Sequence, residues 1–176
     1  MSAEPPAIPD RSALMRMATG YLARYAASSQ RLRQVLARRI ARWCATRGLE
    51  PPEPDAVRTA VEDVVARLQA LGLLDDTLLA ASRSRALARK GLPASRITMT
   101  LRQQGLQIED DTAEEEPLDD AVQARRFAER KRLGPFRLGD RAVARDKDLR
   151  RLIRAGFSFS TAVAVVDAET QDEEGR

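Results

Sequence analysis

The segment from Gly72 to Leu106, GLLDDTLLAASRSRALARKGLPASRITMTLRQQGL, constrains the chain most, because parts of its pattern recur on both sides. It runs from apolar residues to Asp75 and Asp76, through a basic stretch to a Gly-Leu-Pro break, and through a second stretch ending at Gly105. Leu118, Asp119 and Asp120 open another basic stretch, which reaches Gly134-Pro135; the two Leu-Asp-Asp triplets lie 44 residues apart. Arg96-Ile97-x-x-x-Leu101 matches Arg31-Leu32-x-x-x-Leu36 upstream, and Gly105-Leu106-Gln107-Ile108 matches Gly156-Phe157-Ser158-Phe159 downstream. Self-similarity in a fixed order marks a repeat architecture, in which neighbouring copies bury one another's apolar faces. The chain divides on this basis into three diverged helical modules: 12–73, 74–117 with an acidic connector, and 118–168. A disordered lead over 1–11 and an acidic tail over 169–176 flank them.

The modules are expected to be helical throughout. Aromatic residues are only 4% of the chain, so the core must rest on Leu, Val, Ile and Ala. Alanine and arginine are abundant and β-branched runs bounded by turn residues are few, which favours an all-α fold. No window approaches 18 consecutive apolar residues and the N-terminus lacks a signal-peptide pattern, so a cytoplasmic protein without membrane contact is expected.

Helical periodicity places the first helix from Ser12 to about Ala26, with Leu14, Met17, Ala18, Tyr21, Leu22 and Tyr25 on its apolar side. A second runs from about Gln30 to Arg47, where Leu32, Val35, Leu36, Ile40, Trp43 and Cys44 share one face and Ser28 or Ser29 caps the start. Three prolines make Leu49 to Pro54 a connector, and Asp55 is the expected cap of a third helix carrying Val57, Val61, Val64, Val65, Leu68 and Leu71. Asp75 caps the next helix and Asp76 sits in its first turn. Pro93 suits the start of the helix that buries Ile97 and Leu101. After Gly105 the third helix of module two is stunted by an acidic run. In module three a helix with Val122 and Phe127 is followed by a loop over 135–147, a helix capped by Asp146 or Asp148, and a last helix capped by Ser160.

Catalytic chemistry finds little support. Histidine is absent, which removes the commonest general base and zinc ligand. Cys44 is the single cysteine, so no intrachain disulfide forms, and its apolar neighbours point to a small buried thiol. There is no glycine-rich phosphate loop, no Gly-x-Ser-x-Gly and no Cys-x-x-Cys. The acids between Glu109 and Asp120 lack the spacing and glycine of a calcium loop. They read as a solvated segment, or as a phosphate mimic that lies over a basic surface. No catalytic residue, metal or cofactor is expected.

Charge layout carries more information than the net +4. Residues 11–108 hold 17 basic and 7 acidic residues and residues 121–154 hold 12 and 4, while 109–120 hold eight acids and no base. Basic blocks on helices suit a polyanion or an acid-lined groove. Three clusters are the candidate contacts: Arg31, Arg38 and Arg42; Arg83, Arg85 and Arg89; and Arg125, Arg126 and Arg130 with Arg150, Arg151 and Arg154. The competing explanation for each is a solvated helix side whose arginine stems cover apolar surface.

The chain also resembles the RecX family, regulators of the RecA recombinase. The likeness lies in Tyr21-Leu22-Ala23-Arg24-Tyr25 ahead of the Ser28 to Arg33 run and in Gly72-Leu73-Leu74-Asp75-Asp76. It continues in Gly91 ahead of Ile97-x-x-x-Leu101-x-x-x-Gly105-Leu106 and in Arg154-Ala155-Gly156-Phe157. It spans about residues 12 to 168. The chain departs from the family pattern at Leu79-Ala80, where an aromatic usually precedes the Ala, and is longer than the pattern over 133–147. The resemblance implies an elongated, curved array of three tandem three-helix modules, acting as a monomer. It implies a partner in the RecA filament on single-stranded DNA, with duplex DNA a weaker one, and inhibition of ATP hydrolysis, strand exchange and repressor cleavage. The alternative is a free-standing basic helical nucleic-acid binder that does not need RecA.

Overall fold

The computed structural model describes residues 8–107 and 119–169, and within them the chain is all-α, without strands. The helices are α1 (Arg11–Leu22), α2 (Ser29–Ala45), α3 (Pro54–Ala70), α4 (Asp76–Ala88), α5 (Ala94–Gln103), α6 (Asp120–Lys131), α7 (Arg141–Ala155) and α8 (Phe159–Val166), with a 3-10 turn at Gly134–Phe136. None of them is long and apolar enough to cross a membrane.

Two compact units emerge from the packing. Among the described residues, the first comprises 8–79 together with Gln104–Leu106, and the second comprises Ala80–Gln103 with Gln107 and 119–169. In the first, α1, α2 and α3 enclose Leu14, Ala18, Leu32, Leu36, Ile40, Val61, Val64, Val65 and Leu68, with Cys44 buried among them as its neighbours predict. Ile8 packs against this core and Pro9 is buried, so the end of the lead-in contributes to packing. In the second, α6, α7 and α8 enclose Ala124, Ala128, Leu133, Leu149, Leu152, Phe157, Ala162, Val165 and Val166.

Several helix ends differ from the sequence expectation. The helix α1 begins where the Asp10 carboxylate accepts from the Ala13 N–H at 2.7 Å, and it stops at Leu22 rather than Ala26. Ala27 and Ser28 are buried on the way into α2, and the extended backbone of Ser28 cannot prolong a helix. Tyr25 is therefore off the helix and exposed, not on an apolar face. Asp55 is not the cap of α3: Pro54 takes the first helical position, Glu53 precedes it without a side-chain bond, and Asp55 pairs with Arg58 in the first turn.

Neither Asp146 nor Asp148 caps α7. Asp140 does, accepting from the Val143 N–H at 3.1 Å, so the expected loop over 135–147 shrinks to a 3-10 turn and a few residues. Ser158, not Ser160, caps α8. The expected stunted helix after Gly105 and most of the acidic run lie outside the described residues.

One hydrogen-bonding scheme occurs once in each unit. Asp75 caps α4 through the Leu78 N–H and Asp119 caps α6 through the Ala121 N–H, both at 2.8 Å. The second aspartate of each triplet turns outward to another helix start. Asp76 accepts from the Ser29 N–H at 2.8 Å and from its hydroxyl, and Asp120 accepts from the Ala94 N–H at 3.3 Å. Ser29 and Ala94 hold the same place in the matched Arg31 and Arg96 segments, and Ala80 and Ala124, four residues after each second aspartate, are both buried.

Two glycines are required by close approach as well as by backbone. Gly105 has φ +71°, and a Cβ there would fall 2.6 Å from the Gln30 Cβ. Gly91 has φ +74°, and a Cβ would lie 2.5 Å from the backbone nitrogen of Phe127, which cannot move aside.

Candidate binding surface

The arginines sort by what holds them. On α2, burial of Leu32, Leu36, Ile40 and Cys44 at four-residue steps turns Arg31, Arg38 and Arg42 to the exposed side. No acid occurs between residues 11 and 49, against nine arginines, so relief can come only from elsewhere. The α3 helix supplies it for two of them. Asp63 pairs with Arg11 at 2.8 Å, and Glu62 takes Arg33 in a two-pronged contact at 2.7 and 3.0 Å. The hydrogen bond from Arg33 is the main reason that the Glu62 carboxyl sits below its ordinary range. Arg39 is committed too, donating to the Met17 carbonyl at 2.6 Å.

What remains is uncommitted. Arg38 and Arg42 make no ion pair or hydrogen bond through their guanidinium groups among the described residues, and Arg31 has only a 3.4 Å bond to Gln34. Like charges one turn apart disfavour the helix by a few tenths of a kcal/mol per pair, roughly 0.2–0.5. Such an arrangement gains only when an anion comes to it.

The other predicted residues lie in the second unit. Arg85 is exposed on α4 and Arg89 is exposed in the turn just past its end, while Arg83 is half-buried; Arg83 and Arg85 have further partners within the protein. Arg130 of α6 donates to the Arg89 carbonyl at 3.5 Å, which brings the α4 and α6 clusters together. Arg126 is exposed, while Arg125 lies 5.7 Å over the Phe136 ring. Arg150, Arg151 and Arg154 are exposed on α7, where Arg151 lends its charge to Asp148.

Sequence reasoning missed the arginines that hold the fold. Arg137 pairs with buried Asp148 through both carboxylate oxygens, and the Gly134 N–H donates to the same group at 2.9 Å. Arg141 donates to the Ala168 carbonyl at 2.7 Å, closing the end of α8, and Arg145 pairs with Asp167 at 2.6 Å. It also missed the rings: Arg47 lies 4.3 Å over Trp43, a contact the Trp-x-x-x-Arg spacing could have revealed.

No group of three or more potential metal ligands occurs among the described residues. The groove between α2 and α3 is lined by Ala37, Val57 and Val61 and rimmed by the committed Arg33 and Glu62.

The chain is 39% identical over 163 residues to the regulatory protein RecX of Myxococcus xanthus, a match covering 88% of this chain and 84% of that protein. The crystal structure of a regulatory protein RecX has the same fold, with a TM-score of 0.57 at 20% identity over 90% of this chain and 72% of the other. No family sequence profile matches the chain.

Proposed function

The chain belongs to the RecX family of regulatory proteins, and from that premise we propose that it is a negative regulator of the RecA recombinase. It binds the filament that RecA forms on single-stranded DNA and restrains ATP hydrolysis, strand exchange and coprotease activity in recombination and the SOS response. It works as a monomer in the cytoplasm, without a cofactor or chemistry of its own. Three tandem modules, 12–73, 74–117 and 118–168, present its basic helices.

The observation that carries this reading is the partition of the arginines. Arg11, Arg33, Arg137, Arg141 and Arg145 are spent on the fold, while Arg38 and Arg42 are left without a partner among the described residues on a helix that has no acid. Within the second unit, Arg89, Arg126, Arg150 and Arg154 of the other predicted clusters are exposed as well. A cationic surface with no catalytic group suits docking on a polyanionic assembly.

Co-sedimentation at several salt concentrations tests the proposal. The chain is expected to pellet with RecA filaments at salt concentrations that strip it from bare single strands. Equal retention on both, with a steep salt dependence, is the result for a basic nucleic-acid binder that does not need RecA.

A further inference from the structure

We propose that the first compact unit carries a base-stacking strip for single-stranded nucleic acid, built from Tyr25, Tyr21, Trp43 and Arg47. This deepens the nucleic-acid side of the function above and does not itself require RecA.

The chain has two tyrosines and one tryptophan, all in the segment from α1 to α2, and none of them is buried. Tyr21 and Trp43 edge onto the aliphatic core, but Tyr25 does not reach it and is 58% exposed. The Tyr21 and Tyr25 rings meet with centroids 5.1 Å apart. Arg39 stands 5.7 Å over Tyr21, Trp43 follows one turn later on the same side of α2, and Arg47, just past the end of α2, lies 4.3 Å over the Trp43 ring. Each group of rings thus has a cation against it, on a segment that contains no acid.

Aromatic side chains ordinarily contribute large buried areas to a core. Here the core is aliphatic and the rings are outside, beside cations. Single-stranded nucleic acid matches both features, since every base offers a π-face and every linkage an anion. A duplex hides its bases, and an acidic protein surface has no use for the rings. One base lies on the open face of Tyr25. A second takes the place of Arg47 on the indole. Arg47 is held there by its stacking on the ring and a 3.4 Å bond to the Trp43 carbonyl, and a base that displaces it from the indole leaves its guanidinium to pair with the adjoining phosphate. The exposed Arg24 and Arg42 take neighbouring phosphates.

The test uses the full chain alone with an oligo-dT strand and an abasic strand of equal length. Trp43, the single tryptophan, is the reporter. Oligo-dT is expected to quench its fluorescence and to bind about tenfold tighter than the abasic strand. Tyr25→Ala is expected to weaken oligo-dT about fivefold while leaving abasic binding and thermal melting unchanged. Equal affinity for the two strands, no quenching, or no effect of Tyr25→Ala overturns the proposal. If those results come with normal inhibition of RecA, the stacking strip alone fails. If the strip behaves as expected and RecA is untouched, the regulatory reading fails instead.

Discussion

Asp148 sits where the repeat calls for an aliphatic side chain. Counting back from Gly156 as from Gly105, its counterpart is Ile97; both are buried, as are Leu152 and Leu101 one turn later. The longer segment before α7 explains the exchange, because it brings Arg137 and the Gly134 N–H onto the carboxylate. Burial pushes this carboxyl up, but the hydrogen bonds from Arg137 and Gly134, with the charges of Arg137 and Arg151, outweigh burial and hold it below its ordinary value. Removing Asp148 leaves the buried Gly134 N–H without its acceptor and empties a packed site, which destabilises the fold. Asp148→Ala should lower the urea midpoint accordingly, and replacing Asp148 and Arg137 together by Leu should recover part of the loss. A depressed folded pKa means that the stabilisation is complete above the ordinary carboxylate value near 3.8 and is lost as pH falls through the lower folded value. Acid titration of the unfolding free energy should therefore show a step in that window that Asp148→Ala lacks. None of this was legible in the sequence, where an aspartate after a basic stretch reads as a cap.

Helices as elements were largely legible, because the 3.6-residue spacing of Leu32, Leu36 and Ile40, or of Val61, Val65 and Leu68, admits no other structure. Their ends were less so. Asp148 is drawn into the core, which leaves Asp140 to cap α7, whereas Ser158 and Ser160 are both exposed and it is the extended backbone of Ser158 that makes it the cap of α8. The Leu-Asp-Asp triplets were legible as starts, but only the structure assigns the second aspartate to another helix. A double-mutant cycle tests that assignment: Ser29→Ala and Asp76→Ala should couple by about 1 kcal/mol in unfolding free energy. Independent effects would mean that the contact contributes nothing. Gly91→Ala probes the packing in the second unit, combining a left-handed backbone with a clash on Phe127; a loss of more than about 2 kcal/mol is expected.

At the scale of the whole molecule, the basic blocks were visible in the sequence, but which arginines are available was not. That depends on α3, whose Glu62 and Asp63 claim Arg33 and Arg11 from a helix pair with no acid of its own. Arg38→Gln with Arg42→Gln should leave the melting temperature unchanged or slightly raised, as the like-charge pair is removed, while weakening filament binding about tenfold or more. Arg33→Glu, placed against Glu62, should lower stability instead. The most direct measurement is RecA-dependent ATP hydrolysis on single-stranded DNA, titrated with the chain and with the Arg38, Arg42 double variant. Regulation predicts strong inhibition at amounts far too small to cover the DNA, and loss of that inhibition in the variant. Inhibition that appears only when the DNA is covered, or none at all, would contradict it.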